Sequence, residues 1–221
     1  MSTSTEDYLK AILELGEAGI RVTTSSLAER LGVAAPSVTG MIKRLSQDTP
    51  PLLDYEPHHG VKLTRFGRLR ALRVLRRHRL VETFLVEALG YTWDEVHEDA
   101  EQLEHHISDR LEERIAAFLN HPCFDPHGDP IPAVDGSLPR AAQISLLEVA
   151  PGAKVSVARV RQTASDMLRH LDSLGLHPGV AVSVTRRDPF DGPVHIAVEG
   201  KNEPVIIGAA LADSILVQPR Q

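Results

Sequence analysis

The stretch Val22–Gln47, VTTSSLAERLGVAAPSVTGMIKRLSQ, decides the fold of the first third of the chain. Ala28, Gly32 and Val38 stand at relative positions 0, +4 and +10, which is the spacing of a helix-turn-helix. The motif needs a small residue where its helices touch, a glycine at the turn and an apolar residue in the second helix. The stretch therefore predicts two short helices, the second able to enter a DNA major groove. An αα-hairpin in an unrelated helical core has the same spacing.

The second helix of this motif has one apolar face and one short, polar face. Pro36 suits its first turn, where the missing N–H of proline costs little. Val38, Ile42 and Leu45 point inward at helical spacing. The outward face is nearly neutral, so we expect few base contacts, a methyl contact to thymine from the proline and readout of DNA shape. The residues expected at the DNA are Ala35, Pro36, Ser37, Thr39, Lys43 and Arg44.

A hairpin and a basic helix follow the motif. The stretch PPLLDYEPHHGVKLT (50–64) holds two extended runs around a Pro/His/Gly turn, which is the pattern of a β-hairpin wing. Residues 65–90 then form a long amphipathic helix that is strongly basic in its first half. Residues 1–79 carry 13 Lys and Arg against 8 Asp and Glu, a balance that suits a polyanion. Together these features favour a winged helix that binds double-stranded DNA.

The remaining sequence predicts two further units. Val96–Leu119 repeats apolar residues at steps of three and four, so we expect one long helix there. The Pro/Gly-rich stretch 121–139 is typical of a linker. Beyond it, QISLLEV, KVSVARV, VAVSVTRR, PVHIAVEG and PVIIG predict strands of a small β-barrel, with a helix at ASDMLRHLDSLG. We expect a mainly α fold with β, divided into residues 1–72, 73–140 and 141–221.

The middle unit carries candidate metal ligands. Residues 80–140 hold 3 Lys and Arg against 14 Asp and Glu, an excess that a bound cation would balance. At about 100° per residue, four side chains fall in one arc beside the apolar stripe of the expected helix: His97, Glu101, Glu104 and His105. On the preceding helix, His78 and Glu82 are i and i+4 and share a face. Imidazole and carboxylate ligands without thiolate suit Mn²⁺, Fe²⁺, Zn²⁺ or Co²⁺, and the carboxylates favour the first two.

Two plainer interpretations stand beside this one. Carboxylates along a helix are usually solvated, and a single histidine usually has no ligand role. The other histidines show no ligand spacing: His121, His127, His170, His177 and His195. Cys123 is interpreted as a packed or linker thiol.

The bulk composition excludes several classes of protein. No apolar run approaches the roughly 18–20 residues that span a bilayer. The start, MSTSTEDYLK, lacks the basic and apolar regions of a secretory signal. A lone cysteine allows no internal disulfide and fits a reducing compartment. We therefore expect a cytoplasmic protein without a membrane partner, and we find no nucleotide loop, nucleophile triad or catalytic residue.

Five stretches carry a resemblance to a known family. TEDYLKAILEL, LAERLGVAAPSVTGMIKRL, LTRFGRLRALRVLRRHRLVETFL, VHEDAEQLEHHISDRLEERI and DPHGDPIP resemble the metal-dependent regulators of the diphtheria toxin repressor and manganese transport regulator family. They cover nearly all of residues 5–132 in the family's order. The tail resembles the family's SH3-like (FeoA-type) domain more weakly. The resemblance implies a winged helix, a helical dimerisation domain with two metal sites, and this SH3-like domain.

The resemblance also implies a ligand set. The primary site would be Asp7, Glu101, Glu104 and His105. Iron-type members have Met and Cys where this chain has Asp7 and Glu101, so two carboxylates favour Mn²⁺, with Fe²⁺ next and Zn²⁺, Co²⁺ or Cd²⁺ as substitutes in vitro. The ancillary site would be His78, Glu82 and His97, with Asp166 and Gln162 as candidates from the SH3-like domain.

One position departs from the manganese type. Those members have a further Glu where this chain has Lys10, and an ammonium group cannot bind a cation. The resemblance therefore implies two separate ion sites here instead of a closely bridged pair.

The function implied is a metal sensor that represses metal-uptake genes. A metal ion would connect the DNA-binding unit to the dimerisation unit, so that a homodimer spans two half-sites of a palindromic operator about one helical turn apart. One rival is a winged-helix regulator that responds to an organic ligand. Another is a di-metal helical enzyme, which would need paired Glu-x-x-His motifs, whereas the third residue after Glu101 is Glu104.

Overall fold

Helical and β segments alternate along the chain. The computed structural model describes residues 3–16, 20–142, 144–161 and 164–220. The helices are α1 (Thr3–Leu15), α2 (Thr24–Leu31), α3 (Ala35–Gln47), α4 (Arg65–Leu89), α5 (Val96–Leu103), α6 (Asp109–Phe118), α7 (Ser165–Leu174) and α8 (Ala209–Ser214). The strands are β1 (Leu53–Glu56), β2 (Gly60–Leu63), β3 (Ile144–Ser145), β4 (Lys154–Val160), β5 (Ala181–Arg187), β6 (Val194–Val198), β7 (Val205–Ile207) and β8 (Ile215–Pro219).

These elements form two compact units, neither of which is one continuous stretch of chain. The first contains residues 1–78, 101–112 and 132–138. The second contains residues 79–100, 113–131 and 139–221. The first unit therefore combines the DNA-binding elements with the end of α5 and the turn that follows it.

The helix-turn-helix of the first unit is confirmed. The Thr23 hydroxyl accepts a hydrogen bond from the Ser26 N–H and caps α2, satisfying a donor that the helix leaves open. Gly32 closes α2 at φ 64°, a left-handed conformation that glycine adopts without strain. Val38 and Ile42 of α3 are fully buried, as predicted, in a core shared with α1 and the wing.

The wing is confirmed as well. Strands β1 and β2 pair antiparallel, with Leu53 opposite Leu63 and Glu56 opposite Gly60. An isolated bridge joins Val22 to Val61, so the chain before α2 is fastened to the wing. The wing therefore belongs to the same rigid core as the helices.

The single long helix expected over 96–119 is wrong. The chain leaves the helical path after Leu103, whose carbonyl accepts hydrogen bonds from the N–H groups of His106 and Ile107. Helix α6 starts anew after Ser108, whose hydroxyl accepts a hydrogen bond from the N–H of Leu111. Glu104 and His105 thus lie in a turn, and their predicted positions on a helical arc do not apply.

The second unit contains an antiparallel sheet of strand order β3-β8-β4-β5-β6-β7. Bulges at Val157/Arg159 and Val184/Arg186 bend β4 and β5, as small barrel-like sheets require. The sheet packs on α7 around a core that includes Leu168, Leu171 and Trp93 from the segment after α4. The sheet and α7 form the small barrel-like β domain that the sequence predicts.

Two details of this domain differ from the sequence prediction. QISLLEV forms strand only at Ile144–Ser145 and then turns into a 3-10 helix at Leu146–Glu148. Helix α8 and strand β8 were not predicted, although β8 is the central partner of β3 and β4. The stretch 121–139 was predicted to be a linker, but Asp125, His127 and Ile131 within it are buried.

Across the described residues, no helix has both the length and the apolar character needed to cross a membrane.

Candidate metal centre

Three predicted ligands meet in the first unit. Asp7 lies on α1, whereas Glu104 and His105 lie in the turn after α5. The His105 Nε2 atom is 2.8 Å from Asp7 Oδ1 and 3.3 Å from Glu104 Oε1. One ligand atom from each of the three residues lies within 4.8 Å of the others. Two carboxylates and one imidazole can therefore reach a common cation.

The Glu104 side chain shows that this arrangement fits a cation. It is fully buried, and its Oε1 atom makes no hydrogen bond among the described residues. A buried carboxylate oxygen without a hydrogen bond is costly, and a metal ion is one way to satisfy it. Asp7, Lys10, Glu101 and His105 line a cleft of about 680 Å³, which gives an ion a path to the site.

The electrostatics of Asp7 agree with a cation-binding role. Burial raises the pKa of Asp7 above its usual value, the attraction of His105 opposes this shift, and repulsion from Glu104 and Glu101 adds to it. The carboxylate is therefore held among negative charges that favour a positive partner.

Lys10 occupies the other side of Glu104. Its ammonium Nζ is 2.7 Å from both Glu101 Oε1 and Glu104 Oε2, and 3.1 Å from His78 Nδ1. Burial acts to lower the pKa of Lys10, but the attraction of Glu104 and Glu101 outweighs it and the pKa is raised. The two carboxylate oxygens of Glu104 thus have different surroundings. Oε2 contacts this ammonium and lies 2.6 Å from His78 Nδ1, whereas Oε1 faces His105.

Glu101 contacts Lys10 and does not belong to the cluster of Asp7, Glu104 and His105. Its Oε1 atom binds the ammonium, and its side chain is 38% exposed. The four predicted primary ligands are therefore close together, but three of them converge and the fourth pairs with a lysine.

A second cluster lies in the second unit, and it shares only Glu82 with the predicted ancillary set. Glu82, Asp125 and His127 are all buried and place ligand atoms within 4.8 Å of one another. His127 Nδ1 is 3.8 Å from Glu82 Oε2 and 3.9 Å from Asp125 Oδ1. His127 showed no ligand spacing in the sequence, but the fold places it beside two carboxylates.

The hydrogen bond of the other His127 nitrogen fixes its tautomer. The Nε2 atom lies 2.7 Å from the carbonyl oxygen of Trp93, which can only accept, so Nε2 carries the proton. In the neutral ring Nδ1 then has the lone pair, and this atom faces the two carboxylates. This is how metal-binding histidines are commonly oriented.

Asp125 has a strongly raised pKa in this cluster. Burial, then repulsion from Asp129 and Glu82, raises the pKa of Asp125 to about 7, against the attraction of His127 and Arg79. Its Oδ1 also accepts hydrogen bonds from the N–H groups of His127 and Asp129, so it shapes the loop as well. Glu82, Asp125 and Asp129 stand against two arginines, since Arg79 pairs with both aspartates and Arg159 pairs with Asp129. The acids outnumber the arginines by one, and a cation would balance the remaining negative charge.

Strand β4 holds the loop that carries Asp125 and His127. The His127 carbonyl accepts a hydrogen bond from the Val160 N–H, and Asp129 pairs with Arg159 at 2.6 Å. Gly128 adopts φ 84°, and a Cβ there would lie 1.9 Å from the Ala158 carbonyl oxygen. Only glycine allows this close approach.

The predicted ancillary residues have different surroundings. Glu82 Oε1 is 3.3 Å from His97 Nδ1 within the second unit, whereas His78 belongs to the first unit and contacts Glu104 and Lys10. Asp166 lies in the first turn of α7 and is exposed, and its carboxylate accepts a hydrogen bond from the Met167 N–H. It belongs to none of the three-residue ligand clusters found among the described residues. The Gln162 prediction lies outside the described residues.

The predicted DNA-contacting residues share the outer face of α3. Ala35, Pro36, Ser37, Lys43 and Arg44 are exposed. Thr39 is half-buried, and its hydroxyl donates to the Ala35 carbonyl. Arg44 also donates to the Thr5 hydroxyl at 2.9 Å, which joins α3 directly to α1.

The chain matches three domain families in succession. Residues 1–61 match the N-terminal DNA binding domain of iron dependent repressors, and residues 64–133 match their metal binding and dimerisation domain. Residues 144–219 match the FeoA domain.

Full-length relatives are similar along the whole chain. The iron-dependent repressor IdeR of Mycobacterium leprae is 33% identical over 97% of this chain and 96% of its own. A manganese-dependent transcriptional repressor, solved in complex with manganese, is 41% identical with a TM-score of 0.85, covering 98% of this chain and 100% of that one. ScaR with bound Zn²⁺ is 34% identical with a TM-score of 0.76, covering 98% and 99%.

Proposed function

This chain belongs to the iron dependent repressor family, the family of the diphtheria toxin repressor, and we propose that within it this metal-dependent DNA-binding repressor responds to Mn²⁺. The observation that carries the proposal is the convergence of Asp7, Glu104 and His105. Two carboxylates and one imidazole, with no thiolate or thioether, suit Mn²⁺ best and Fe²⁺ next. We expect Zn²⁺, Co²⁺ and Cd²⁺ to substitute in vitro.

The proposed ligands join two parts of one unit. When bound, the divalent cation supplies the positive charge that offsets the carboxylates of Asp7 and Glu104. Asp7 belongs to α1, which packs on α2, and α2 packs on the reading helix α3. Keeping Asp7 beside the turn after α5 therefore fixes the orientation in which α3 meets DNA. Arg44 contributes by linking α3 to Thr5 of the same helix α1.

The test of this function is operator binding measured against each metal separately. We expect Mn²⁺ to raise operator affinity by at least about 100-fold over chelator-treated protein, or about 2.7 kcal/mol. By linkage, operator DNA must raise Mn²⁺ affinity by the same factor. Equal affinity with Mn²⁺ and with chelator would instead support the rival regulator that responds to an organic ligand.

We propose that a second ion binds to Glu82, Asp125 and His127. The burial of these three residues and the tautomer of His127 support this proposal. The Lys10 ammonium lies beside Glu101 and Glu104 and cannot bind a cation, which supports two single-ion sites instead of a bridged pair. His97 would be connected to this second site through its contact with Glu82. Asp166 and Gln162 remain predicted ligands, and removing the carboxylate in Asp166→Ala should lower ion stoichiometry if that prediction holds.

The second site has its own optical reporter. Trp93 is the only tryptophan of the chain, and its ring stacks on His127 at a centroid distance of 5.9 Å. We expect Mn²⁺ to quench Trp93 emission, and the quenching should saturate with one ion per chain, the ion of the second site. In Asp125→Asn, which keeps the size of the side chain, quenching should need at least about 100-fold more Mn²⁺. Asp7→Ala is the matched control, and quenching unchanged in Asp125→Asn would remove Asp125 from the site.

We propose further that the protein acts as a homodimer on a palindromic operator in the cytoplasm. The matched dimerisation domain supports this, as do exposed apolar side chains on its helices, with Leu89 59% and Phe118 67% exposed. A repressor must be where the DNA is. The clusters have ligands for ions but lack the paired Glu-x-x-His motifs of di-iron enzymes, so we propose a regulatory and not a catalytic use.

A further inference from the structure

His105 has two ring nitrogens, and the proposed ion site uses only one of them. Nε2 faces Asp7 and Glu104, as described above. Nδ1 faces the other way and lies 2.7 Å from Glu6 Oε2. Glu6 directly precedes Asp7 on α1, so neighbouring carboxylates of one helix contact opposite edges of the same imidazole.

We propose that Glu6 is the positioning residue of the first ion site. Its carboxylate accepts the Nδ1–H of His105 and so leaves the Nε2 lone pair directed at Asp7 and Glu104. This rests on the proposed function, because it assumes that His105 is a metal ligand. Glu6 itself does not touch the ion.

Burial makes this hydrogen bond effective. The His105 side chain is 4% exposed and that of Glu6 is 19% exposed, so water competes weakly for Nδ1. A buried ring without a partner at Nδ1 could rotate or change tautomer, and the Nε2 lone pair would then no longer point at Asp7 and Glu104. The bond also ties the first turn of α1 to the turn after α5 through a contact independent of Asp7.

The place of Glu6 in the helix suggests a competing role, which the experiment must separate from the first. An acidic residue in the first turn of a helix interacts favourably with the helix dipole, and Glu6 stands in the first turn of α1. That role would affect the stability of α1 whether or not an ion is bound. It would not depend on an acceptor for His105, and this difference makes the two roles separable.

The experiment compares Glu6→Ala, Glu6→Gln and the control Glu14→Ala. Glu14 is another α1 carboxylate, and it pairs with Arg30. We expect Glu6→Ala to weaken Mn²⁺ binding at the first site by roughly 10- to 100-fold. Glu6→Gln keeps an oxygen that accepts the Nδ1–H, so it should recover most of this loss. Glu14→Ala should bind as the wild type does, and Trp93 quenching should be unchanged in all three.

A spectroscopic readout checks the tautomer itself. In the Zn²⁺-loaded wild type, ¹⁵N spectra of His105 should show a protonated, slowly exchanging Nδ1 and an unprotonated Nε2. In Glu6→Ala, the Nδ1 proton should exchange with water much faster. Wild-type Mn²⁺ affinity in Glu6→Ala, equal losses in the Ala and Gln variants, or an Nδ1-bound ion would each overturn the proposal. A wild type that binds no ion at this site would instead contradict the proposed function.

Discussion

Asp7→Ala should abolish the Mn²⁺ dependence of operator binding. The substitution removes one of the three proposed ligands and the only one of them on α1, so an ion held by Glu104 and His105 would no longer be bound to the DNA-binding helices. We expect operator affinity in Mn²⁺ to fall by at least about 100-fold, or about 2.7 kcal/mol, to the level of chelator-treated wild type. Fluorescence anisotropy of labelled operator at fixed salt measures this, since salt alone changes DNA affinity.

The controls for this result separate ion binding from folding. Asp7 is only partly buried, so the alanine variant should unfold at nearly the wild-type temperature when both lack metal. Glu98→Ala removes an exposed carboxylate of α5 and should keep the full Mn²⁺ response. If Asp7→Ala responded to Mn²⁺ as strongly as the wild type, Asp7 would not be a ligand.

Lys10→Met should have the largest effect on stability. Methionine fills a similar volume but leaves the fully buried Glu104 and the neighbouring Glu101 without their ammonium. Breaking a buried ion pair by removing one partner typically costs about 3–5 kcal/mol. We therefore expect the metal-free variant to melt roughly 10 °C lower, measured by calorimetry in chelator. Lys62→Met, which removes an exposed lysine 3.5 Å from Asp54, should change little.

The same substitution makes a prediction about ions. In Lys10→Met, added Mn²⁺ should restore more stability than it adds to the wild type, because a cation can replace the lost ammonium charge. Lys10→Glu should go further and raise the stoichiometry from two ions per chain to three. An unchanged melting temperature in Lys10→Met, or only two ions in Lys10→Glu, would contradict this account of Lys10.

The sequence predicts most of the first unit because its signals are local. The helix-turn-helix spacing and helical periodicity locate α2, α3 and α4, and Gly32 and Pro36 mark the turn between α2 and α3. The break after Leu103 was missed because Ile107 and Leu111 continue the apolar spacing through it. Ser108 was the available signal, since serine is a favoured cap at the start of a helix.

The second cluster could not be predicted in this way. Glu82 and His127 are 45 positions apart, and their meeting depends on how the loop packs against β4. Asp125 and His127 stand two residues apart in a Pro/Gly-rich stretch, a composition that normally indicates a turn or linker. The sequence likewise gives no sign that Lys10 is buried, because a lysine on a helix is nearly always solvated. Such contacts between distant residues are set by tertiary packing.

The close fit of Gly128 under the Ala158 carbonyl has an evolutionary consequence. A descendant of this chain shortened after about residue 140 would lose that carbonyl, and also Arg159, the closer of the two arginines that pair with Asp129. Selection for glycine at position 128 and for an acid at position 129 would then relax. Drift at those two positions should therefore accompany deletion of the C-terminal domain, whereas Asp7, Glu104 and His105 should be retained.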